Sequence, residues 1–174
     1  MILMKNIILF LTIFMTSALA KGAVTEVTAP VPADAPQAAQ EAPKPVTWKL
    51  DARLTDATSG VITLTAVPAA GWHLYGTELP AGGPQATKID LSKSTGITLE
   101  GAPKPSVKPV TVADKLFDMT LNWWDKPVTF TVPFKLKQGA RTARIKAEVN
   151  FMACDDNTCA PPVTETLFKS VRTK

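Results

Sequence analysis

Beyond about residue 45 the chain alternates apolar and polar residues with a period of two, in short runs separated by Gly, Pro, Asn or Asp. That period belongs to strands with one buried face. The runs predict strands over Val46–Leu54, Gly60–Val67, Trp72–Tyr75, Lys88–Leu91 and Ile97–Glu100. Four more follow at Met119–Trp124, Val128–Leu136, Thr142–Met152 and Val163–Val171. No stretch among them carries the 3.6-residue period of an amphipathic helix. In the clearest run, Ile145, Ala147, Val149 and Phe151 face a core, while Arg144, Lys146, Glu148 and Asn150 face water. The expected fold class is all-β, a β-sandwich built from many short strands.

The first 46 residues follow other rules. Lys5 precedes an apolar run from Ile7 to Met15, and Ser17-Ala18-Leu19-Ala20 supplies a small-residue cleavage site. Residues 1–20 therefore read as a secretory signal peptide, with the mature chain starting at Lys21. The run is short for a membrane span, and no cysteine near the site could accept a lipid. Left uncleaved, it would be an anchor, which is the less favoured outcome. Residues 21–46 form a disordered Ala/Pro-rich linker, because Pro30, Pro32, Pro36, Pro43 and Pro45 exclude regular structure. One folded domain is expected over 47–174, long enough to bury a core. No later run reaches 18 apolar residues, so no integral membrane span is expected in the mature chain, and the periplasm is the expected location.

Composition changes this picture little. Without the signal segment, 18 Lys and Arg stand against 15 Asp and Glu, scattered among the strands without a basic cluster. Nucleic acid is therefore not an expected partner.

The chemistry concentrates in Phe151-Met152-Ala153-Cys154-Asp155-Asp156-Asn157-Thr158-Cys159-Ala160-Pro161-Pro162, which holds both cysteines of the chain with four residues between them. A close pair in an oxidising space suits thiol-disulfide exchange, in which one thiolate attacks and the second cysteine resolves the mixed disulfide. The competing reading is a structural staple. So short a loop would stabilise by only about 2 kcal/mol in the chain-entropy picture. Asp155 and Asp156 would disfavour a thiolate beside them, and they equally suit an Asx-type turn that Asn157 would share. Pro161-Pro162 stiffens the exit. His73 is the only histidine, and a core role is favoured over that of general base. Cys154, Cys159 and His73 lack a fourth ligand and paired zinc-type spacing, so no metal and no cofactor are expected.

Three segments together resemble a known family: Gly71-Trp72-His73-Leu74-Tyr75, then Asp114-Lys115-Leu116-Phe117-Asp118 leading to Trp123-Trp124, and the cysteine segment through Pro162. The family is the immunoglobulin-like N-terminal domain of DsbD, also called the disulfide bond corrector domain. The resemblance implies an immunoglobulin-like sandwich whose redox pair, here Cys154 and Cys159, receives electrons from a thioredoxin-like domain and passes them to oxidised periplasmic partners. Such electron flow supports cytochrome c assembly or disulfide isomerisation, with protein-disulfide reduction as the implied activity. It also implies a cap loop over Asp114–Asp118 that shields the pair, its aromatic contact falling to Phe117 in preference to Leu116. His73 and Tyr75 map beside the cysteines, and Cys159 becomes the attacking sulfur.

The chain departs from that pattern in three places. The family's best-known members have five residues between the cysteines, against four here. Lys115 stands where an acidic residue is common in the cap. The sequence ends 15 residues after Cys159, without the membrane conduit or thioredoxin-like domain usual in the family, so a separate membrane donor is expected. The expectation is a monomeric periplasmic electron carrier that exchanges with thioredoxin-fold partners. The alternative is a secreted β-sandwich binding or adaptor module with a purely structural disulfide, in which Trp123 and Trp124 serve core or ligand contacts. The two differ in one feature: only a carrier needs the segment from Asp114 to Phe117 packed over the sulfurs.

Overall fold

The computed structural model describes residues 44–172, so the expected signal segment and almost all of the linker lie outside the described residues. Among these residues there are twelve strands and no helix. In chain order they are β1 (Val46–Leu54), β2 (Ser59–Pro68), β3 (His73–Tyr75), β4 (Lys88–Asp90), β5 (Ile97–Leu99) and β6 (Lys104–Pro105). After these come β7 (Val110–Asp114), β8 (Met119–Trp124), β9 (Val128–Leu136), β10 (Thr142–Phe151), β11 (Ala153–Cys154) and β12 (Val163–Arg172). All nine strands read from the sequence are present, with ends shifted by a residue or two.

Pairing is antiparallel throughout and builds three sheets. One runs β1-β2-β9-β5 with β6 also on β9, a second runs β12-β10-β4, and a third runs β11-β3-β8-β7. The first two close on a shared core. Alternation in β1, β2 and β9 sends Trp48, Ile62, Leu64, Phe130 and Phe134 inward, where they meet Ile145, Ala147, Val149 and Phe151 of β10 in one buried cluster. Trp48 stacks on Phe130 at 6.0 Å and tilts against Phe151 at 5.6 Å, bridging the two layers. The arrangement is the all-β sandwich the alternation predicts, with an immunoglobulin-like layout.

The structure departs from the sequence reading at Met152. The run Thr142–Met152 was expected to be one strand, but β10 ends at Phe151 and the next two residues form β11, which leaves for the third sheet. Met152 is the transfer point, and its carbonyl accepts a bond from Tyr75 N at 3.3 Å. Alternation cannot announce this break, because Phe151, Ala153 and Cys154 are all buried on one layer or another. The strand β7 is also new. It runs along the edge of the third sheet and is mostly exposed, so it carries no apolar stripe.

The core is tight where β2 begins. Gly60 pairs with Leu54 on one side and Phe134 on the other, and a Cβ there would run into the Phe134 ring and lie 2.6 Å from the Arg53 carbonyl oxygen. Gly60→Ala is expected to cost about 1–3 kcal/mol, the range for overpacking. A urea midpoint that falls at unchanged m-value is the check.

Candidate redox site beneath a capping hairpin

Three residues of β3 divide the molecule in two. Leu74 points into the sandwich core with its cross-strand partner Ala153, while Tyr75 points to the other face. There it forms a second buried cluster with Leu121 and Cys154. His73 pairs directly with Cys154 in the β3–β11 ladder. Direct cross-strand partners put their side chains on the same face, with Cβ atoms about 4.5–5.5 Å apart. The short β11 therefore hangs Cys154 beside the only histidine of the chain.

Past Cys154 the backbone turns back within four residues. Asp155 N donates to Thr158 O and Ala160 N to Ala153 O, each at 2.9 Å, so Cys154 and Cys159 face each other across a tight hairpin. The two form a disulfide, with Cα atoms 4.0 Å apart. The turn is held by Asp155, whose Oδ1 accepts from Asn157 N and Thr158 N at 2.8 Å each. Those backbone bonds hold the Asp155 carboxyl below its ordinary value. Asp155 thus takes the Asx-turn role, while Asp156 projects from the turn, exposed. The disulfide is asymmetric. Cys154 is fully buried and Cys159 is half-buried.

The hairpin of β7 and β8 packs on the same cluster through its loop. Its loop is Lys115-Leu116-Phe117-Asp118, and Asp118 closes it in the left-handed region at φ 51°, a conformation that Asp tolerates better than most residues. Asp114 anchors the base. It is 6% exposed, and its Oδ1 accepts from Leu116 N at 2.8 Å and Phe117 N at 3.0 Å. Its Oδ2 accepts from the Tyr75 hydroxyl at 2.9 Å. Burial, followed by the bond to Asp114, pushes the Tyr75 hydroxyl well above its ordinary value, so it stays a donor. The Phe117 ring meets Tyr75 edge to face at 6.0 Å. Phe117 and Cys159 both pack against the Tyr75–Leu121–Cys154 cluster.

On the other flank lies an open cleft of about 270 Å³, lined by His73, Asp114, Lys115, Leu116, Trp123, Asp155 and Asp156 among others. The His73 ring stacks on Trp123 at 4.0 Å and 22°, and sits edge-on to Tyr75 at 5.2 Å. His73 is 7% exposed, and its Nε2 is buried without a hydrogen-bond partner among the described residues. Burial lowers the imidazole below its ordinary value, against the opposing pull of Asp114, Asp156, Asp155 and Asp125.

The residues expected at the site are thus brought together with two exceptions. Leu116 is 45% exposed and lines only the cleft rim, and Asp118 shapes the loop without reaching the cluster. Sequence reasoning missed the pairing of Trp123 with His73, along with Leu79, Leu121, Met119 and Met152 around the cysteines. Alternation within Met119–Trp124 held part of that signal. It places Met119, Leu121 and Trp123 on the site face, whereas Trp124 turns into the core and donates from Nε1 to Val107 O at 3.0 Å. No group of His, Cys, Asp and Glu among the described residues is arranged to hold a metal ion.

No curated protein sequence matches the chain. Among solved structures, the N-terminal periplasmic domain of ScsB from Proteus mirabilis has the same fold at 17% identity and a TM-score of 0.50, over 71% of this chain and 45% of that one. The match therefore spans less than half of the length of that solved chain. The N-terminal domain of Neisseria meningitidis DsbD, in its reduced form, aligns at 16% identity and a TM-score of 0.43, over 72% of this chain and 90% of that one. The family profile of the thiol:disulfide interchange protein DsbD, N-terminal, matches residues 37–170. With a match over most of its length, the chain belongs to the family of DsbD N-terminal domains.

Proposed function

We propose that this domain is a periplasmic thiol-disulfide interchange module in which Cys154 and Cys159 cycle between dithiol and disulfide by exchange with thioredoxin-fold partners. One observation carries the reading. The disulfide joins a fully buried and a partly buried cysteine on the cluster where Phe117 also packs, and a simple staple has no need of such cover. A partner thiolate reaches Cys159, and the electron pair of the broken bond leaves on Cys154, shielded from solvent and from side reactions. In the reverse direction, Cys159 attacks a partner disulfide and Cys154 resolves the mixed disulfide. Membership of the family supports exchange with thioredoxin-like partners, oxidised periplasmic proteins being the proposed acceptors. No helix among the described residues is long and apolar enough to cross a membrane. Export by a cleaved signal at residues 1–20 and a linker that ends where β1 begins at Val46 complete the proposal.

The deciding experiment is the reduction potential of the pair, measured by trapping free thiols with a mass tag after equilibration in graded redox buffers. A value above about −270 mV, the range of exchange proteins, is expected. A value below about −300 mV, with reduction only on unfolding, would make the bridge structural and the protein a binding module.

Two further outcomes follow from the same geometry. Brief alkylation of the reduced folded protein is expected to label Cys159 well before Cys154, as peptide mapping would read, because only Cys159 meets solvent. Tyr75→Phe leaves Asp114 Oδ2 without its donor in a buried place. The loss is expected to be about 1–3 kcal/mol of stability by denaturant titration. Faster reduction of the disulfide by a small thiol should accompany it as the loop base loosens.

A further inference from the structure

The asymmetry of the pair raises a problem that the interchange reading leaves open. To close the disulfide, Cys154 must attack as a thiolate, yet it is fully buried and Asp155 follows it directly in the chain. A thiolate in that place is desolvated and repelled by neighbouring carboxylates. Some group must take its proton.

One titratable side chain stands opposite Cys154 in the ladder. His73 is the direct cross-strand partner of Cys154, on the same face of the ladder. The stack on Trp123 and the edge contact with Tyr75 hold its ring in place. Its Nε2 is buried and bonded to nothing among the described residues, although a buried polar atom ordinarily has a partner. It also lines the cleft between the cap loop and the cysteine turn, which gives a proton a route to solvent.

We propose that His73 is the proton acceptor for Cys154 when Cys154 resolves a mixed disulfide, an inference that rests on the interchange reading above. In that step Cys159 is already joined to a partner sulfur. The Cys154 thiol proton passes to His73 Nε2, and the Cys154 sulfur attacks the Cys159 sulfur. The bond from Cys159 to the partner sulfur breaks, and its electron pair leaves as the partner thiolate. The Cys154–Cys159 disulfide is formed, the domain is oxidised by two electrons and the partner is reduced by two. The imidazolium returns its proton through the cleft to solvent or to the departing thiolate. In reverse, the imidazolium protonates Cys154 as the disulfide opens.

The charges around the ring fit this role. Asp114 from β7, Asp155 and Asp156 from the cysteine turn and Asp125 beyond β8 all favour the imidazolium once it forms, while Lys115 lies across the cleft and Tyr75 stays neutral beside it. Burial outweighs the carboxylates and keeps the imidazole below its usual value of 6.5. At neutral pH the ring is therefore uncharged and free to accept.

The test uses the reduced mature protein and 4,4′-dithiodipyridine, a neutral disulfide that releases one thiopyridone when Cys159 attacks and a second when Cys154 resolves. Stopped-flow absorbance separates the two releases across pH. In the wild type the second release is expected to rise through an inflexion on the acid side of 6.5 and then level into a plateau. His73→Gln is expected to slow that release about 100-fold or more, the lower bound for a lost general base, and to abolish the plateau while leaving the first release unchanged. A second release in His73→Gln within a few-fold of wild type, with the same pH profile, overturns the inference and leaves interchange standing. Should His73→Gln not fold, the wild type alone decides: a second release that climbs steadily with thiol ionisation and shows no plateau overturns it. A native disulfide that no thiol reduces overturns the interchange reading, and this inference with it.

Discussion

The Asp114 carboxylate accepts three hydrogen bonds in a buried place, two from the loop that follows it and one from the Tyr75 hydroxyl. A desolvated carboxylate is tolerable only when its lone pairs are occupied, so these bonds form together or the group must be rehydrated. That requirement ties β7, the capping loop and β3 into one unit. Since β3 is also the strand on which β11 hangs, the position of the cap relative to Cys154 is set by a chain of backbone pairs and one buried carboxylate. Tyr75 joins the two halves, with its ring against the cysteine cluster and its hydroxyl on the anchor.

A second constraint is the period of two itself. In β3, alternation commits Leu74 to the sandwich core, which leaves His73 and Tyr75 for the opposite face. In β8 it commits Trp124 to the core and Trp123 to the site. The redox cluster is therefore not a pocket added to a finished sandwich. It is the reverse face of the strands that complete the core, which is why a site with so few residues is held so firmly.

Much of this was legible from the sequence. The nine strands, the inward face of β10 and the cysteine turn with its Asx chemistry follow from alternation and turn residues, and the resemblance of three segments to one family brought Asp114 and Phe117 into the neighbourhood of the cysteines. What was not legible has physical causes. The edge strand β7 buries almost nothing, so its residues carry no stripe, and only pairing with β8 makes it a strand. The passage from β10 to β11 runs through residues buried on both faces, so no change of pattern marks it. The neighbours of His73 depend on register between strands far apart in sequence, and a single sequence does not encode that register in any local signal. Sequence therefore favours a core role for the histidine. It is buried as that reading requires, yet its Nε2 has no hydrogen-bond partner.

The cover is strong at its base and weak at its tip, and the difference matters for exchange. Displacing Asp114 would strand a buried carboxylate, whereas lifting Phe117 breaks one edge-to-face ring contact and uncovers a partly buried side chain. Such a ring pair contributes about 0.5–1.5 kcal/mol beyond its area. That ring contact alone changes the population of lifted and seated Phe117 by a factor of about ten, and the apolar area that the ring buries adds to it. In the proposed exchange, a docking partner that covers the same apolar surface offsets both losses while the hairpin base stays bonded. Lifting that ring leaves β3 and its pairing with β11 in place in this exchange, so the register that sets His73 beside Cys154 is kept.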